Sequence, residues 1–559
     1  MTTNDAPQLP LLRGSSPDQV FPTLTDAQRA RVARHGRERA VAPGEVLVEV
    51  GDPVAAFFVV LEGVVEIVRP SDSGDTIVVR HRPGAFTGEA TMLSGRRPVL
   101  RARVAEPGRV IELTRDELLA LVRDDAELSE VFMRAFLLRR VELIASGLGD
   151  VVLLGSVHSP GTLRIKEFLS RNGHPYAYVD LERDRDVESL LHRFHVDAAE
   201  IPILICRGQI VLRNPGNQLI ADTLGFNDAV DPARIRDVVI VGAGPAGIAA
   251  AVYAASEGLD VLVIESTAPG GQAGASSRIE NYMGFPAGIA GQDLANRGYA
   301  QAQRFGAEFL IARGVTAVNC ERKPYRLTID GGQTVQARTI IVATGADYRR
   351  LQIDDLAKYE GSGVYYGATF VEAQLCANEE VVIVGGGNSA GQAAVYLAQT
   401  ASRVHMLVRA NGLAETMSRY LIRRIEDNPA ITLRTRTEIE ALEGDGHLER
   451  VRWRHRDSGP ETHAVRHVFV MTGATPNTAW LDGCVVLDPN GFICTGQDLS
   501  AEALANAKWP RVRPPFLLET SLPGVFAVGD VRTGSTKRVA AAVGEGSVAV
   551  LFVHRVLGE

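Results

Sequence analysis

The sequence predicts a multidomain chain: a β-roll with flanking helices, a small α/β unit, and a C-terminal α/β module built from two βαβ starts. Three observations predict it. The chain has 559 residues, more than a single core organises at roughly 150 residues per domain. Short apolar β-like runs with glycine turns fill Val41 to Leu113. Two glycine loops, each between an apolar strand and an alanine-rich helix, begin 143 residues apart at Gly242 and Gly385.

The roll is read from the runs Glu45–Val50, Phe57–Leu61, Val64–Val68, Thr76–Arg80 and Val110–Leu113, whose spacing suits a small antiparallel barrel. Helical patterns flank it: Thr25–His35, opening with a Thr25–Gln28 capping-box spacing, and one long amphipathic stretch, Asp116–Leu143. A second regime starts at Gly149. It reads as strand Val151–Leu154, helix Leu163–Arg171, strand Tyr176–Asp180, helix Val187–Phe194 and hairpin Ile203–Leu212, ending near Asp231.

Bulk properties exclude several classes. A net charge of −8 argues against nucleic acid as a partner. The five cysteines, Cys206, Cys320, Cys376, Cys484 and Cys494, include no pair at zinc-knuckle or vicinal-dithiol spacing, so no metal site is expected. The odd count without a disulfide framework points to a reducing, cytoplasmic location. Cys484 and Cys494 are the two that could approach across a hairpin, and Cys376 reads as buried and structural. The N-terminus carries no basic-then-apolar leader pattern. Val238–Ser256 is uncharged, but its glycines and proline stand at phosphate-loop spacing, so it reads as a nucleotide loop and not as a membrane span.

In the first loop, strand Asp237–Val241 runs into Gly242-Ala243-Gly244-Pro245-Ala246-Gly247 and a helix to about Ser256. The first glycine allows the tight turn and the second lets backbone approach a pyrophosphate. The third lets the helix pack on the strand, and the helix N-terminus attracts the anion. Glu265 closes the next strand, 21 residues past Gly244, where a carboxylate accepts from a ribose hydroxyl. The second loop is Gly385-Gly386-Gly387-Asn388-Ser389-Ala390, and its following strand ends on Arg409 in place of an acid. A guanidinium there favours a 2′-phosphate, hence NADPH over NADH.

With these motifs in order, Arg236–Glu559 resembles the low-molecular-weight thioredoxin reductases. Gly271 and Gln272 of Pro269-Gly270-Gly271-Gln272, and Asn281 of Ile279-Glu280-Asn281-Tyr282, look like that family's flavin-contacting loop. Ala343-Thr344-Gly345, Gly529-Asp530 and Lys537-Arg538-Val539 match further FAD motifs, with Asp530 at the ribityl position. The resemblance implies FAD and NADPH as cofactors, hydride transfer between them, a homodimer, and an NADPH domain inserted into the FAD domain. The family's Cys-Ala-Thr-Cys is here Gly367-Ala368-Thr369-Phe370, so the dithiol position holds Gly367 and Phe370. Neither supplies the thiolate that disulfide exchange requires.

Residues 149–231 resemble a glutaredoxin- or thioredoxin-like domain: Ile201-Pro202 stands at the cis-proline place, and Ser159-Pro160-Gly161-Thr162 fills the Cys-x-x-Cys place. Residues 17–146 resemble cyclic-nucleotide-binding domains of catabolite-activator-type regulators. Gly88 and Glu89 match the phosphate-cassette opening, and Arg96 and Arg97 lie one or two residues out of register for the phosphate. A cyclic nucleotide is therefore a candidate partner. The expected order is that domain at 17–146, a thioredoxin-like α/β domain at 149–231, FAD domain at 236–352, NADPH domain at 353–471, and FAD domain again at 472–559. The two-dinucleotide-binding, Rossmann-like flavoprotein module is expected to pass hydride from NADPH to FAD and on to an external acceptor, a protein or a small molecule. A redox or cyclic-nucleotide sensor with little turnover, and a reductase of a partner-supplied disulfide, are the alternatives.

Overall fold

In a computed structural model, residues 17–559 are described apart from 53–55, 71–73, 89–96, 146–150, 157–158, 182–199, 208–209, 277, 369, 446 and 482. The chain divides into two units. The first takes Met1–Gly155, Asn172–Val230 and Tyr299–Ala312; the second takes Ser156–Arg171, Asp231–Gly298 and Arg313–Glu559.

The first unit opens with helix α1 (Asp26–Ala33), whose capping box forms as its sequence predicts. The Thr25 N–H donates to Gln28 Oε1 at 2.8 Å, and the Gln28 N–H donates to Thr25 Oγ1 at 3.3 Å. Strands β1 (Arg37–Val41), β2 (Val46–Val48), β3 (Phe57–Arg69), β4 (Thr76–His81), β5 (Phe86–Thr87) and β6 (Arg101–Leu113) build an antiparallel sheet in the order β1-β6-β3-β4. β2 pairs with β6, and β5 with β3. The two runs expected at 57–61 and 64–68 are one bulged strand, because pairing with β6 continues through Gly63. That glycine has φ +84°, and a Cβ on it would lie 2.6 Å from the Glu106 carbonyl.

The expected long helix at 116–143 is instead two, α2 (Arg115–Asp124) and α3 (Ala126–Ala145). Asp125 between them has ψ 101°, and its carboxylate accepts the Leu128 N–H at 3.0 Å, so it ends one helix and caps the next. The core joins roll to helices through Phe57, Phe86 and Phe132. Phe132 meets Phe57 edge-on at 5.0 Å and Phe86 at 4.9 Å.

Strands β7 (Val151–Gly155), β8 (Ala177–Asp180), β9 (Ile203–Cys206) and β10 (Ile210–Arg213) form a second, mixed sheet in the order β10-β9-β7-β8. The Ile201–Pro202 peptide that leads into β9 is cis. The helix expected at Val187–Phe194 lies outside the described residues. The helix between β7 and β8, α4 (Pro160–Arg171), belongs to the second unit, which splits the small α/β segment read from the sequence. Helix α5 (Asn217–Leu224) stays in the first unit and ends on Gly225 at φ +69°.

The second unit carries two parallel sheets. In one, β11 (Ile235–Val241) lies between β12 (Val261–Glu265) and β16 (Thr334–Val342), parallel to both, and β27 (Val525–Ala527) also runs parallel to β16. An antiparallel pair, β14 (Val315–Asn319) and β15 (Tyr325–Ile329), extends the sheet from β16. Helix α6 (Pro245–Ser256) follows β11, and α7 (Gly291–Arg304) begins in this unit. In the other sheet, β18 (Val364–Tyr365), β25 (His467–Val470), β19 (Glu380–Val384), β20 (Arg403–Val408) and β21 (Ile431–Thr435) are all parallel, in that order. Near-continuous apolar runs such as Val381–Val384 suit strands covered on both faces. Between the sheets, β17 (Ala346–Tyr348) pairs antiparallel with β26 (Ala474–Pro476). Helices α8 (Phe370–Leu375), α9 (Asn388–Leu397) and α10 (Arg419–Glu426) belong to the second half.

One expectation holds here and one changes. Val238–Ser256 is strand, loop and helix, so it offers no continuous span. Among the described residues one helix is long and apolar enough to cross a membrane, α11 (Val539–Leu557). It packs on α6, and Gly546 permits the approach: a Cβ there would lie 2.2 Å from the Ala246 carbonyl oxygen. The cysteines also pair differently. Cys484 bonds to Cys320, 164 residues away, and not to Cys494; Cys206, Cys376 and Cys494 are each buried and outside any disulfide. Spacing along the chain did not signal this pair, because one partner directly follows Val315–Asn319 and the other follows Ala479–Leu481, brought together only by the fold.

Candidate functional site

The first glycine loop is shaped by backbone contacts that leave no room for side chains. Gly242 has φ +102°, and a Cβ on it would lie 2.4 Å from the Ala343 carbonyl; one on Gly247 would lie 1.9 Å from the Gly242 carbonyl. Gly244 differs. The nearest atom to its Cβ position is the Gly271 Cα at 4.0 Å, so its bare face opens toward a ligand. Glu265 ends β12 buried, and its carboxylate accepts the N–H groups of Ala243 (2.7 Å), Thr267 (2.8 Å) and Ala268 (3.2 Å). The acid thus ties the first loop to the next.

Around this loop lies a cavity of about 950 Å³. Of the residues singled out in sequence, Gly242, Gly244, Pro245, Ala246, Glu265, Gly271, Gln272, Asn281, Ala343, Thr344, Gly345, Gly529, Asp530, Lys537, Arg538 and Val539 line it. Gly247 does not line it and serves helix–strand packing. Gln272 donates to the Ala346 carbonyl. Thr344 and Asn477 bond reciprocally, Oγ1 to carbonyl at 2.8 Å and Nδ2 to carbonyl at 3.1 Å. The Gly529 N–H donates to Glu545 at 2.7 Å, and Glu545 is held in turn by Arg532 at 2.7 Å. Burial pushes the Asp530 carboxyl above the ordinary aspartate range, with Lys537 opposing the shift.

The second glycine loop reaches the same cavity through Asn388 and Ser389. Gly385 (φ +145°) turns under Met471, whose carbonyl would lie 2.3 Å from a Cβ, and Ala390 is buried beneath the turn. Gly387, like Gly244, has open space where a side chain would be. Asn388 Oδ1 accepts the Ser418 N–H at 2.7 Å. Arg409 follows the end of β20, exposed, away from the cavity lining and without an ion pair among the described residues. Arg424 pairs with Glu280 at 2.6 Å and ties the two halves of the unit together.

Sequence reading missed several lining residues. Tyr348 and Tyr365 lie between the two loops, and burial raises both phenols. Asn477 carried no motif. Glu167 and Arg171 of α4 also line the cavity, although they precede the first glycine loop by some 70 residues. Pro160 of the same helix abuts Gly361. Gly367 lines the cavity beside Ala275, and its Cβ position lies 3.8 Å from the Ala275 side chain. Position 370 starts α8; residue 369 lies outside the described residues. Among the described residues no cysteine lines the cavity.

Two glycine loops of this geometry on one cavity are matched by a family model. The pyridine nucleotide-disulphide oxidoreductase model matches residues 236–546, and a cyclic nucleotide-binding domain model matches 38–125. The chain belongs to the pyridine nucleotide-disulphide oxidoreductase family. Its oxidoreductase part is thioredoxin reductase-like. It is 35% identical over 326 residues to a thioredoxin reductase of Mycolicibacterium smegmatis, covering 97% of that protein and 58% of this chain. It is 34% identical over 368 residues to the NADPH-dependent thioredoxin reductase 3 of Arabidopsis thaliana, spanning 65% of that protein and 63% of this chain. Among solved structures, the T. acidophilum thioredoxin reductase superposes with a TM-score of 0.52 at 28% identity, over all of that chain and 58% of this one. The Lactococcus lactis enzyme gives 0.51 at 27% identity, over 99% of that chain and 58% of this one.

Thioredoxin reductases depend on FAD and NADPH, and the residues fit such groups. Gly244 and Gly387 present bare backbone at helix N-termini, where a diphosphate needs close approach, and an added Cβ would occupy that space. In the cyclic nucleotide-binding domain, Gly88 sits at φ +99° with its Cβ position 2.4 Å from the Ala56 carbonyl. Glu89 and Arg96 lie outside the described residues. Arg97 runs against Gly225, where an added Cβ would lie 2.4 Å from its Nε.

Proposed function

We propose that the chain is an NADPH-dependent FAD oxidoreductase of the thioredoxin-reductase type that delivers electrons to an external acceptor without a dithiol of its own beside the flavin. The single observation that carries this is one cavity shared by both glycine loops, with Gly367 and, among the described residues, no cysteine lining it. Bound FAD would supply two-electron chemistry, accepting hydride from NADPH. Gly242, Gly244, Gly271 and the α6 N-terminus would hold its diphosphate, and Asp530 a hydroxyl of its ribityl chain. Glu265 keeps acceptor capacity for a ribose hydroxyl beyond its three backbone partners. Gly385, Gly387, Asn388 and Ser389 would hold NADPH, and exposed Arg409 its 2′-phosphate.

The same reading makes the N-terminal domains regulatory or docking elements in a cytoplasmic homodimer. The mixed sheet in the order β10-β9-β7-β8 supports a thioredoxin-like segment, and exposed Tyr253, Val548 and Leu551 on α6 and α11 support an apolar dimer face. Likeness to thioredoxin reductases favours, as a second reading, reduction of a partner-supplied disulfide at the flavin, and Gly367 leaves space on that side.

Anaerobic titration tests the first reading. Sub-stoichiometric NADPH bleaches the flavin absorbance of the native chain, NADH does so at much higher concentration, and Arg409→Glu removes most of that difference. Bound FAD that neither nucleotide bleaches would overturn it.

A further inference from the structure

Helix α4 lies outside residues 236–546, the part matched by the oxidoreductase family model, yet its last residue reaches the dinucleotide loops. Arg171 Nη2 donates to the Gly271 carbonyl at 2.9 Å. Its own carbonyl accepts from Gln292 Nε2 on α7 at 2.8 Å, and Gln292 also donates to Asn296 at 3.1 Å. The end of α4 is therefore clamped from both sides. Gly271 in turn backs onto the first glycine loop: at φ +52°, its Cβ position is 3.0 Å from the Gly244 Cα.

The guanidinium is only partly engaged there. Its side chain is 16% exposed, its Nη1 reaches Glu167 only at 3.4 Å, and its Nε is buried without a hydrogen-bond partner. A guanidinium in a cavity wall, with one further N–H on each Nη beyond its bonds to Glu167 and Gly271, matches a diphosphate, whose oxygens accept charge-assisted N–H bonds. The neighbouring carboxylate does not cancel this. Glu265 is tied to the N–H groups of Ala243, Thr267 and Ala268, and Glu167 meets the guanidinium through one contact at 3.4 Å.

We infer that Arg171 is a binding residue for the FAD diphosphate, contributed from outside the flavoprotein module. The inference rests on the reading that this cavity holds FAD. It makes the seating of α4 and occupancy by the dinucleotide mutually stabilising, because each favours the same Arg171 position. A segment resembling a thioredoxin-type helix thereby becomes part of the cofactor site.

The test is FAD binding to the full chain, stripped of flavin and titrated with FAD while quenching of flavin fluorescence is followed at two salt concentrations. Arg171→Ala weakens binding about tenfold or more and flattens the salt dependence, as loss of one charge-assisted phosphate contact requires. Arg171→Lys recovers part of the affinity. Gln292→Ala, which loosens the clamp and keeps the charge, costs less and leaves the salt dependence unchanged. Circular dichroism of the flavin-free variants checks that they fold. Affinity of Arg171→Ala within twofold of the native chain would overturn the inference, as would Arg171→Ala and Gln292→Ala losing affinity equally with the native salt dependence. Native chain that takes up no FAD would instead sink the functional reading first.

Discussion

Single side chains in this protein are set by burial more than by their neighbours in sequence. Cys376 packs in the core around β19 and α9, and desolvation pushes its thiol up to about 12. Only the thiolate is nucleophilic, so the folded chain should leave Cys376 unmodified by iodoacetamide at pH 8, and denaturation should expose it. Peptide mapping of the alkylated chain decides the matter; rapid labelling in the native state would make it a reactive thiol. His81, buried in the roll near the Arg139 guanidinium, is pushed down to about 3, chiefly by loss of water. It stays neutral when folded, whereas the unfolded chain protonates it near pH 6.5. Stability is therefore complete above about pH 6.5 and falls by about 1.4 kcal/mol per pH unit below it. Hydrogen exchange of the β4 amides should accelerate from pH 6 to 4 after correction for intrinsic rates, and His81→Gln should flatten that trend.

At the scale of elements, the glycine loops were legible because each needs bare backbone at fixed offsets. Gly242 and Gly247 would collide with carbonyls if substituted, whereas Gly244 and Gly387 face open space. The segment 367–370 is the element whose chemistry has changed. Gly367 is not at positive φ, and its Cβ position meets Ala275 at an ordinary 3.8 Å, so a cysteine fits there without strain. The double variant Gly367→Cys, Phe370→Cys places a Cys-x-x-Cys at the start of α8. It should gain NADPH-dependent reduction of a small aromatic disulfide by at least tenfold over the native chain, read as thiol release. No gain, with flavin reduction intact, would show that the missing sulfurs are not what limits disulfide chemistry. Helix α3 shows the opposite case. The pattern at 116–143 reads as one helix, because the Asp125 cap that interrupts it carries no signal in hydrophobic periodicity.

For the whole molecule, the Cys320–Cys484 bond encloses all of the second parallel sheet in its loop. Closing a loop of this length removes freedom from the unfolded chain and contributes about 5 kcal/mol in the chain-entropy account. Reductant should therefore lower the melting temperature of the native chain by several degrees and leave Cys484→Ser unaffected, with the two curves then coinciding. Equal sensitivity of both would show that the bond contributes nothing to the fold. The division into two units is likewise a whole-molecule fact. Helix α4 follows β7 in the chain but belongs with the dinucleotide cavity, and no composition shift marks that exchange.

By itself, the sequence determined both dinucleotide loops, their strands and helices, and the absence of cysteine at 367–370. These features rest on short-range rules, namely where glycine is obligatory, where apolar runs recur, and where a charged residue ends a strand. Only the tertiary structure decided that both loops share one cavity, that Cys320 pairs with Cys484, and that Arg171 reaches the Gly271 carbonyl. Each of these joins residues between about 100 and 164 positions apart. Their approach depends on how sheets and helices pack, a sum of many weak contacts that no local pattern in the chain encodes.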